Sequence, residues 1–167
     1  MTAFGEHEFE AFFRREHPRL VAMGIGLSGD RELGRELAQE ALLRAYRHWP
    51  RLREYEQPGA WVRRVLVNLA IDAARSRASE RRALQRLATP APLVADAVAD
   101  DWWRAVRALP HRQRAAVVLH YLDDLSIDEV AHILEVTSGT VKASLAHARA
   151  HLARSMAHES REEGGDD

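Results

Sequence analysis

The stretch SIDEVAHILEVTSGTVKASLAHARAHL, residues 126–152, joins two helical patterns through a turn. Ser126 and Glu129 form an S-x-x-E capping box, which predicts that the first helix begins here. Apolar residues recur at helical spacing up to Leu134, and a second apolar row begins at Val141. Small polar and basic side chains lie on the other face of the second pattern. These features indicate a DNA-reading helix-turn-helix, although an ordinary αα-hairpin shares the pattern.

The turn of this motif holds Glu135 where glycine is usual, because the backbone there needs a positive φ. A left-handed residue other than glycine costs about 1–2 kcal/mol. This cost is tolerable, but it counts against the helix-turn-helix interpretation.

The rest of the chain is also predicted to be helical, because β-branched residues are scarce while Ala, Leu, Arg and Glu are abundant. Residues 88–101 contain two prolines, three acids and no base, which is typical of a linker. They separate an N-terminal piece, residues 6–87, from a C-terminal piece, residues 102–156, and an acidic tail, residues 157–167, is predicted to be disordered. We expect an all-α fold of two small helical domains joined by a short flexible linker.

The apolar spacing and the turn residues also predict where the individual helices lie. Pro18 should break or kink the first helix, Asp30 can cap the second, and Trp49-Pro50 should end it. The predicted helices cover about 6–27, 31–48, 59–87, 102–109, 112–122, 126–134 and 138–156.

The third helical pattern concentrates positive charge. From residue 57 to residue 87 there are seven arginines and two acids. Trp61, Arg64, Asn68 and Arg75 share one face at helical spacing. An indole, an amide and arginines on one face suit base stacking and phosphate contacts. A solvated basic helix with Trp61 in the core is the alternative.

Composition excludes several classes of chemistry. The 167 residues include no cysteine, which excludes disulfides, thiolate zinc sites, iron–sulfur clusters and cysteine nucleophiles. The sequence has no apolar run of about 18 residues and no signal-peptide pattern, so we expect a cytoplasmic protein without membrane insertion. The net charge of −1 disfavours tight non-specific DNA binding by the free protein.

Five motifs occur along the chain in an order typical of one family. They are GD with LAQEALLRAY (29–46), AWVRRVLVNLAID (60–72), LPHRQR (109–114), LSIDEVA (125–131) and GTVK (139–142). The first two resemble region 2 of bacterial sigma factors, and the others resemble region 4. Because the linker is too short for a further domain, the chain is similar to the extracytoplasmic-function (ECF) sigma factors. The segment VRRVLVNLA resembles the corresponding segment in their actinobacterial branch.

This resemblance implies a factor that binds core RNA polymerase, through the β′ coiled coil and the β flap, and directs initiation at the −35 and −10 promoter elements. It implies promoter DNA and, in many members, an anti-sigma factor as partners, but no cofactor, metal or catalytic residue. The implied polymerase-binding residues are Leu37, Gln39, Glu40, Leu43 and Arg44; those facing the −10 element are Trp61, Arg63, Arg64, Asn68, Arg75 and Arg77; those facing the −35 element are Thr140, Lys142, Ser144, His147 and Arg149.

The chain departs from the family pattern at two places. Gly34-Arg35-Glu36 stands where Ala-Glu-Asp is common, and Ala143-Ser144 stands where Ser-Arg is common. The second change removes an arginine from the DNA-facing helix, so we expect modest affinity for the −35 element.

Two other functions fit parts of the sequence. A stand-alone helix-turn-helix regulator would need a dimerisation helix, and the sequence offers none beyond the two domains. A metal-dependent helical-bundle enzyme could use the E-x-x-H pair Glu129 and His132 with His147, His151 and His158, but a di-iron site needs two such motifs.

Overall fold

The computed structural model describes the backbone of residues 3–85 and 101–162, and side chains within 5–82 and 103–154. All the regular structure in these residues is helical, as predicted. The helices are α1 (Ala3–Ser28), α2 (Arg31–Leu52), α3 (Pro58–Gln85), α4 (Asp101–Ala108), α5 (His111–Val117), a π turn (Val118–Leu122), α6 (Ile127–Leu134) and α7 (Ser138–Glu162). Apart from Asp101, the predicted linker lies outside the described residues.

Helices α1 and α2 pack with their backbones in contact at two glycines. A Cβ on Gly34 would lie 2.4 Å from the backbone nitrogen of Ile25, and one on Gly24 would lie 2.3 Å from the carbonyl oxygen of Gly34. Real Cβ atoms do not approach so closely, so only glycine permits this crossing. The departure from the family pattern at Gly34 therefore has a packing reason.

The predicted cap of α2 is present. Asp30 Oδ1 accepts a hydrogen bond from the backbone N–H of Leu33 at 3.0 Å. This bond, aided by Arg77, outweighs the effect of burial and lowers the pKa of the Asp30 carboxyl. Gly29, with φ of +71°, makes the turn between α1 and α2.

Pro18 and Pro50 both lie inside helices. Helix α1 runs through Pro18 without a break, and the prediction that Pro50 ends α2 is wrong, because α2 continues to Leu52. Proline in a helix interior costs about 3 kcal/mol. Leu52 is only 2% exposed, and burying such a side chain contributes about 1.5–3 kcal/mol. The packing of the last turn therefore offsets the hydrogen bond that Pro50 removes.

The predicted helix-turn-helix forms with the predicted signals. Ser126 Oγ accepts from the Glu129 N–H at 3.3 Å, and Glu129 Oε2 accepts from the Ser126 N–H at 2.8 Å, which completes the capping box. Glu135 is left-handed at φ 55° and ψ 44°. Thr137 caps α7 by accepting from the Thr140 N–H at 3.1 Å.

Two helix ends in the C-terminal piece differ from expectation. The pattern predicted as one helix over 112–122 widens after Val117 into the π turn, where the Asp123 N–H bonds the Val118 carbonyl. Helix α7 continues past the predicted end to Glu162, because no glycine or proline occurs between Met156 and Gly164. The part of the predicted tail at 163–167 lies outside the described residues.

The N-terminal and C-terminal pieces pack on each other. Helix α1 contacts the π turn, α4 and α5, and helix α3 contacts α6. Gly26 of α1 packs closely against the C-terminal piece: a Cβ there would lie 3.2 Å from Val118 and 3.3 Å from Trp103. Buried apolar residues of both pieces therefore belong to one continuous core.

We expect Gly34→Ala to lower the free energy of unfolding by about 3 kcal/mol, because its Cβ would overlap the backbone of α1. Gly139→Ala is the matched control, since its Cβ would meet only Thr137 Oγ1 at 3.7 Å. That change should be neutral or stabilise by up to about 1 kcal/mol. Urea unfolding followed by circular dichroism measures both, and equal effects would contradict the glycine crossing.

We expect Ser126→Ala to cost about 1 kcal/mol at neutral pH through loss of the cap. Hydrogen bonds from the Ser126 side chain and backbone lower the pKa of Glu129. A lowered carboxyl pKa contributes stability above the unfolded-state pKa, and this is lost as the pH falls through the folded-state value. The difference in the free energy of unfolding between Ser126→Ala and the wild type should therefore become smaller below about pH 4. A gap that widens in acid would contradict this coupling.

Candidate partner and nucleic-acid interfaces

The residues implied to bind polymerase lie along α2, and four of the five reach the surface. Gln39, Leu43 and Arg44 are exposed, and Glu40 is half-buried and bonded to Arg44 at 2.7 Å. Leu37 is only 8% exposed and belongs to the core. It supports this face from within and is not available to a partner.

The exposed face of α2 borders an apolar groove shared with α1, which we call the α1–α2 groove. Its volume is about 800 Å³. Phe13, Leu43 and Tyr46 remain 39%, 41% and 43% exposed in it. Exposed apolar patches on soluble proteins are often interaction surfaces. The groove is lined by Phe9, Phe13, His17, Pro18, Val21, Arg35, Gln39, Leu42, Leu43 and Tyr46.

Aromatic contacts hold the wall of this groove. The ring of Phe9 lies edge-on to Tyr46 at 5.0 Å and to Trp49 at 5.3 Å. Phe13 stacks on His17 at 5.0 Å. The α1 half was missed at the level of sequence, because Phe9 and Phe13 have the same spacing as ordinary core residues. With α2 packed beside α1, Phe13 stays exposed and Phe9 is half-buried.

Helix α3 exposes three of the residues implied to face the −10 element. Asn68, Arg75 and Arg77 are exposed. Arg75 lies 3.8 Å from Asp72, and Arg77 lies 3.3 Å from Asp30. Ion pairs between exposed groups are worth little, so both arginines can exchange these partners for phosphates.

Trp61 is half-buried rather than fully internal. Its indole ring packs against His48 with 5.6 Å between ring centroids. It also borders a hollow with Tyr55 and Gln57 from the segment before α3 and with Asp128 and Glu129 from α6. One edge of the indole therefore faces the space between the two pieces.

Arg63 is buried in an ion-paired group that we call the Arg63 cluster. Its Nη1 donates to Glu16 Oε2 at 2.9 Å, its Nε donates to Asp123 Oδ2, and its Nη2 lies 3.5 Å from Asp123 Oδ1. The side chains of Arg63, Glu16 and Asp123 are 8%, 6% and 4% exposed. Burial alone would lower the pKa of Arg63, but the two carboxylates outweigh it and raise that pKa. In this arrangement the guanidinium has no open side for a phosphate.

Arg64 is also occupied by the C-terminal piece. It donates to the carbonyl oxygens of His132 at 2.7 Å and Ile133 at 3.2 Å, and to Glu135 Oε1 at 2.8 Å. These carbonyls belong to the last turn of α6, where a cation complements the negative end of the helix dipole. Arg64 thus caps the first helix of the helix-turn-helix.

Helix α7 presents most of the residues implied to face the −35 element. Thr140, Lys142 and His147 are exposed, and Ser144 is half-buried. Arg149 is exposed too, but it borders a separate apolar hollow. The other residues lining that hollow are Trp103, Tyr121, Leu122 and Leu152.

The implied readers of the two DNA elements face one another. Asn68 and Arg64 of α3 line the same cleft as Thr140 and Ser144 of α7, together with Arg112 of α5. Its volume is about 120 Å³, whereas a molecule as small as benzene already occupies a cavity of about 150 Å³. The cleft is therefore too small for a nucleotide. The sequence gives no sign of Arg112 at this cleft, because a position at the start of α5 carries no information about contacts with α3 and α7.

The described side chains show no group of three or more histidines, aspartates or glutamates that could hold a metal ion. His158, one of the histidines weighed for such a site, lies outside them. Within the described parts of the chain, no helix is long and apolar enough to span a bilayer.

Two family models match the chain in the order of its two pieces. The model for sigma-70 region 2 matches residues 12–80. The model for sigma-70, region 4, matches residues 99–152. Their boundaries follow α1–α3 and α4–α7.

The fold is similar to that of solved sigma factors. The sigma factor RpoE from Bartonella quintana, solved in complex with the anti-sigma factor NepR, superimposes with a TM-score of 0.74 at 23% identity, covering 89% of this chain and 96% of that one. At this identity the likeness shows the fold alone.

Curated relatives are similar in sequence over most of their length. The ECF RNA polymerase sigma factor SigM of Mycobacterium tuberculosis is 33% identical over 161 residues, covering 94% of this chain and 81% of the relative. The RNA polymerase sigma-E factor of Streptomyces coelicolor is 31% identical over 150 residues, covering 87% and 84%. With the two family models, these relatives show that the chain belongs to the ECF RNA polymerase sigma factors.

Proposed function

We propose that the α1–α2 groove is the surface by which this sigma factor holds core RNA polymerase, while α3 and α7 face the −10 and −35 elements. The observation that carries the proposal is the groove itself, where apolar side chains remain exposed at the end of a well-packed bundle. The proposed partner at this groove is the β′ coiled coil.

The chemistry of the groove suits a helical partner. Leu43 and Tyr46 offer an apolar floor at i, i+3 spacing, which matches the side chains along one face of a docked helix. Arg35 lines the groove, and the Glu40–Arg44 pair lies on the same helix, where charges set orientation more than affinity. A mixed charged rim around an apolar centre is typical of a specific protein interface.

The apolar hollow on the C-terminal piece is the proposed contact for the β flap. Tyr121 is 48% exposed and Leu122 39% exposed there, beside Trp103. The hollow lies on α4, the π turn and α7, so it is separate from the α1–α2 groove. Polymerase would then hold each piece by its own apolar site.

Helix α3 is proposed to engage the −10 element through Asn68, with Trp61 at the edge of the base-binding hollow and Arg75 and Arg77 on phosphates. Extruding a base costs a few kcal/mol of unstacking. An amide and an indole can offset that cost by hydrogen bonding and stacking. Arg63 and Arg64 join this face only in an arrangement where the C-terminal piece no longer holds them.

Helix α7 is proposed to enter the major groove at the −35 element with Thr140, Lys142, Ser144 and His147 toward the bases. Arg149 is proposed as a backbone contact at the margin of this face. Few of these side chains are charged, which is consistent with modest affinity, since non-specific binding scales with the phosphates neutralised.

We further propose that the chain catalyses no reaction itself and acts in the cytoplasm, where polymerase and promoters are found. The solved structures of RpoE and CnrH are complexes with the anti-sigma factor NepR and with the cytosolic domain of CnrY, respectively. An anti-sigma factor is therefore proposed as a regulatory partner of this chain as well.

The proposal is tested by transcription in vitro from a genomic library with core polymerase and the purified chain. We expect new start sites, and we expect Leu43→Asp to weaken core binding by about 30-fold, because a charge at an interface centre costs about 2 kcal/mol. Tyr55→Asp is the control, since Tyr55 is 52% exposed and lies outside the groove. The proposal is lost if the wild type forms no complex with core and yields no new start sites. If Leu43→Asp binds core polymerase as tightly as the wild type, the α1–α2 groove is not the core-binding surface.

The two DNA faces should act at different steps. On a promoter recovered from that library, we expect Asn68→Ala to reduce strand opening, measured by permanganate reactivity, more than Lys142→Ala does. Lys142→Ala should instead weaken duplex binding and reduce the salt slope by about 0.9, the loss of one phosphate contact. Equal losses at the duplex-binding step for both variants would contradict the assigned roles.

A further inference from the structure

A cleft beside the second half of helix α3 concentrates positive charge, and we call it the basic cleft. It lies where the turn between α1 and α2 meets α3, α4 and α5. Its volume is about 520 Å³, and pockets that hold small molecules measure about 300–1,000 Å³. Its basic lining residues are Arg77, Arg107, His111 and Arg114.

The two acids that line the basic cleft are engaged elsewhere. Asp30 caps α2 and pairs with Arg77 at 3.3 Å. Glu80 accepts a hydrogen bond from the Ser76 hydroxyl at 3.1 Å. Among the side chains that the structure describes, neither Arg107 nor Arg114 forms an ion pair with a carboxylate. The cleft therefore has two guanidinium groups whose charge no neighbouring carboxylate neutralises.

Arg114 is a fixed source of positive potential at this cleft. Its Nη1 donates to the carbonyl oxygen of Leu27 at 2.9 Å, and its Nη2 donates to the carbonyl oxygens of Arg107 and Leu109. Its Nε is buried without a hydrogen-bond partner. Burial and the nearby charge of Arg107 lower the pKa of Arg114. The carbonyls fix the orientation of this guanidinium but leave its charge uncompensated.

His111 lies in the same positive potential. Burial lowers the pKa of His111, and the charges of Arg114 and Arg75 lower it further. Because the ordinary pKa of histidine is about 6.5, the ring is neutral at neutral pH. A neutral imidazole keeps one N–H donor. His111 is exposed, so this donor can reach an anion in the cleft.

Arg107 is the guanidinium best placed to bind an anion directly. Its stem lies across the turn at Gly29, where a Cβ would overlap its Cδ. The glycine that makes this turn therefore also makes room for the arginine. Arg107 is half-buried, and its planar fork can donate two parallel hydrogen bonds to phosphate oxygens.

The wall opposite the basic groups is apolar. Ala70, Ala74 and Ala78 of α3 recur at i, i+4 and i+8 and line the cleft, together with Leu27 and Leu33. Such small side chains leave a shallow apolar surface against which a planar ring can pack. Small-molecule sites typically combine an apolar wall with a few placed polar groups.

We propose that the basic cleft binds a nucleoside phosphate. Its phosphates accept hydrogen bonds from Arg107 and His111, and its base packs against the alanines of α3. Arg114 attracts the same phosphates through its charge. This site goes beyond the proposed function, since it needs neither polymerase nor promoter. Arg77 is the residue that it shares with the proposed DNA face.

The test is isothermal titration calorimetry of the full chain with ATP in magnesium-free buffer. We expect one ATP per chain. Arg107→Gln should weaken ATP binding at least about tenfold, because it removes a pair of charge-assisted hydrogen bonds. Arg104→Gln is the matched control, since it makes the same charge change at an exposed position of α4 that does not line the cleft. It should leave the affinity unchanged.

A second variant tests the apolar wall without altering any charge. Ala74→Leu should weaken ATP binding about tenfold by filling the space of the base. The same variant should bind inorganic pyrophosphate as the wild type does, because pyrophosphate needs only the basic groups. Circular dichroism checks that both variants keep the helical content of the wild type.

The site is overturned if ATP shows no saturable binding, or if Arg104→Gln and Arg107→Gln weaken it equally. It is also overturned if Ala74→Leu binds ATP as tightly as the wild type. If Arg107→Gln fails to fold, the comparison of ATP with pyrophosphate in Ala74→Leu decides by itself. The titration contains no polymerase, so its outcome and that of the transcription experiment are independent.

Discussion

A buried guanidinium is the constraint on which the arrangement of this sigma factor depends. Removing an ion from water costs several kcal/mol after relaxation, and the cost is recovered only with well-placed counter-charges and filled hydrogen-bond positions. Arg63 finds both in Glu16 of α1 and Asp123 after the π turn. Since each partner comes from a different part of the chain, the cluster sets how α1, α3 and the C-terminal piece lie against one another.

The strained and irregular parts of the C-terminal piece lie beside this interface. The π turn delivers Asp123 to Arg63, and the next residue, Asp124, is left-handed at φ 55°. Glu135 has the same φ and bonds Arg64. Left-handed residues other than glycine cost about 1–2 kcal/mol each. These left-handed residues lie at, or next to, the carboxylates that bond Arg63 and Arg64 of α3. Their conformations therefore shape the contact with α3 as well as the turns.

The two kinds of surface on the molecule follow different physics. The α1–α2 groove is apolar and remains accessible, so it is available to a protein partner at all times. On α3, Arg63 and Arg64 are already satisfied by carboxylates and carbonyls, whereas Arg75 and Arg77 are exposed. The near-zero net charge of the chain agrees with this division. A factor whose net charge is near zero binds stray DNA weakly, because non-specific affinity scales with the phosphates neutralised.

Local interactions made much of the molecule predictable from residues alone. The capping box at Ser126 and the cap at Asp30 each involve neighbours within a few positions, and the family motifs placed both pieces in order. The prediction that Pro50 ends α2 is wrong, because the burial of Leu52 offsets the cost of a proline inside the helix. The burial of Arg63 was not predictable, since its partners lie 47 and 60 residues away and helical spacing carries no information about them. Whether an arginine meets a phosphate or a carboxylate is set by long-range packing, because both present the same charge and geometry to its fork.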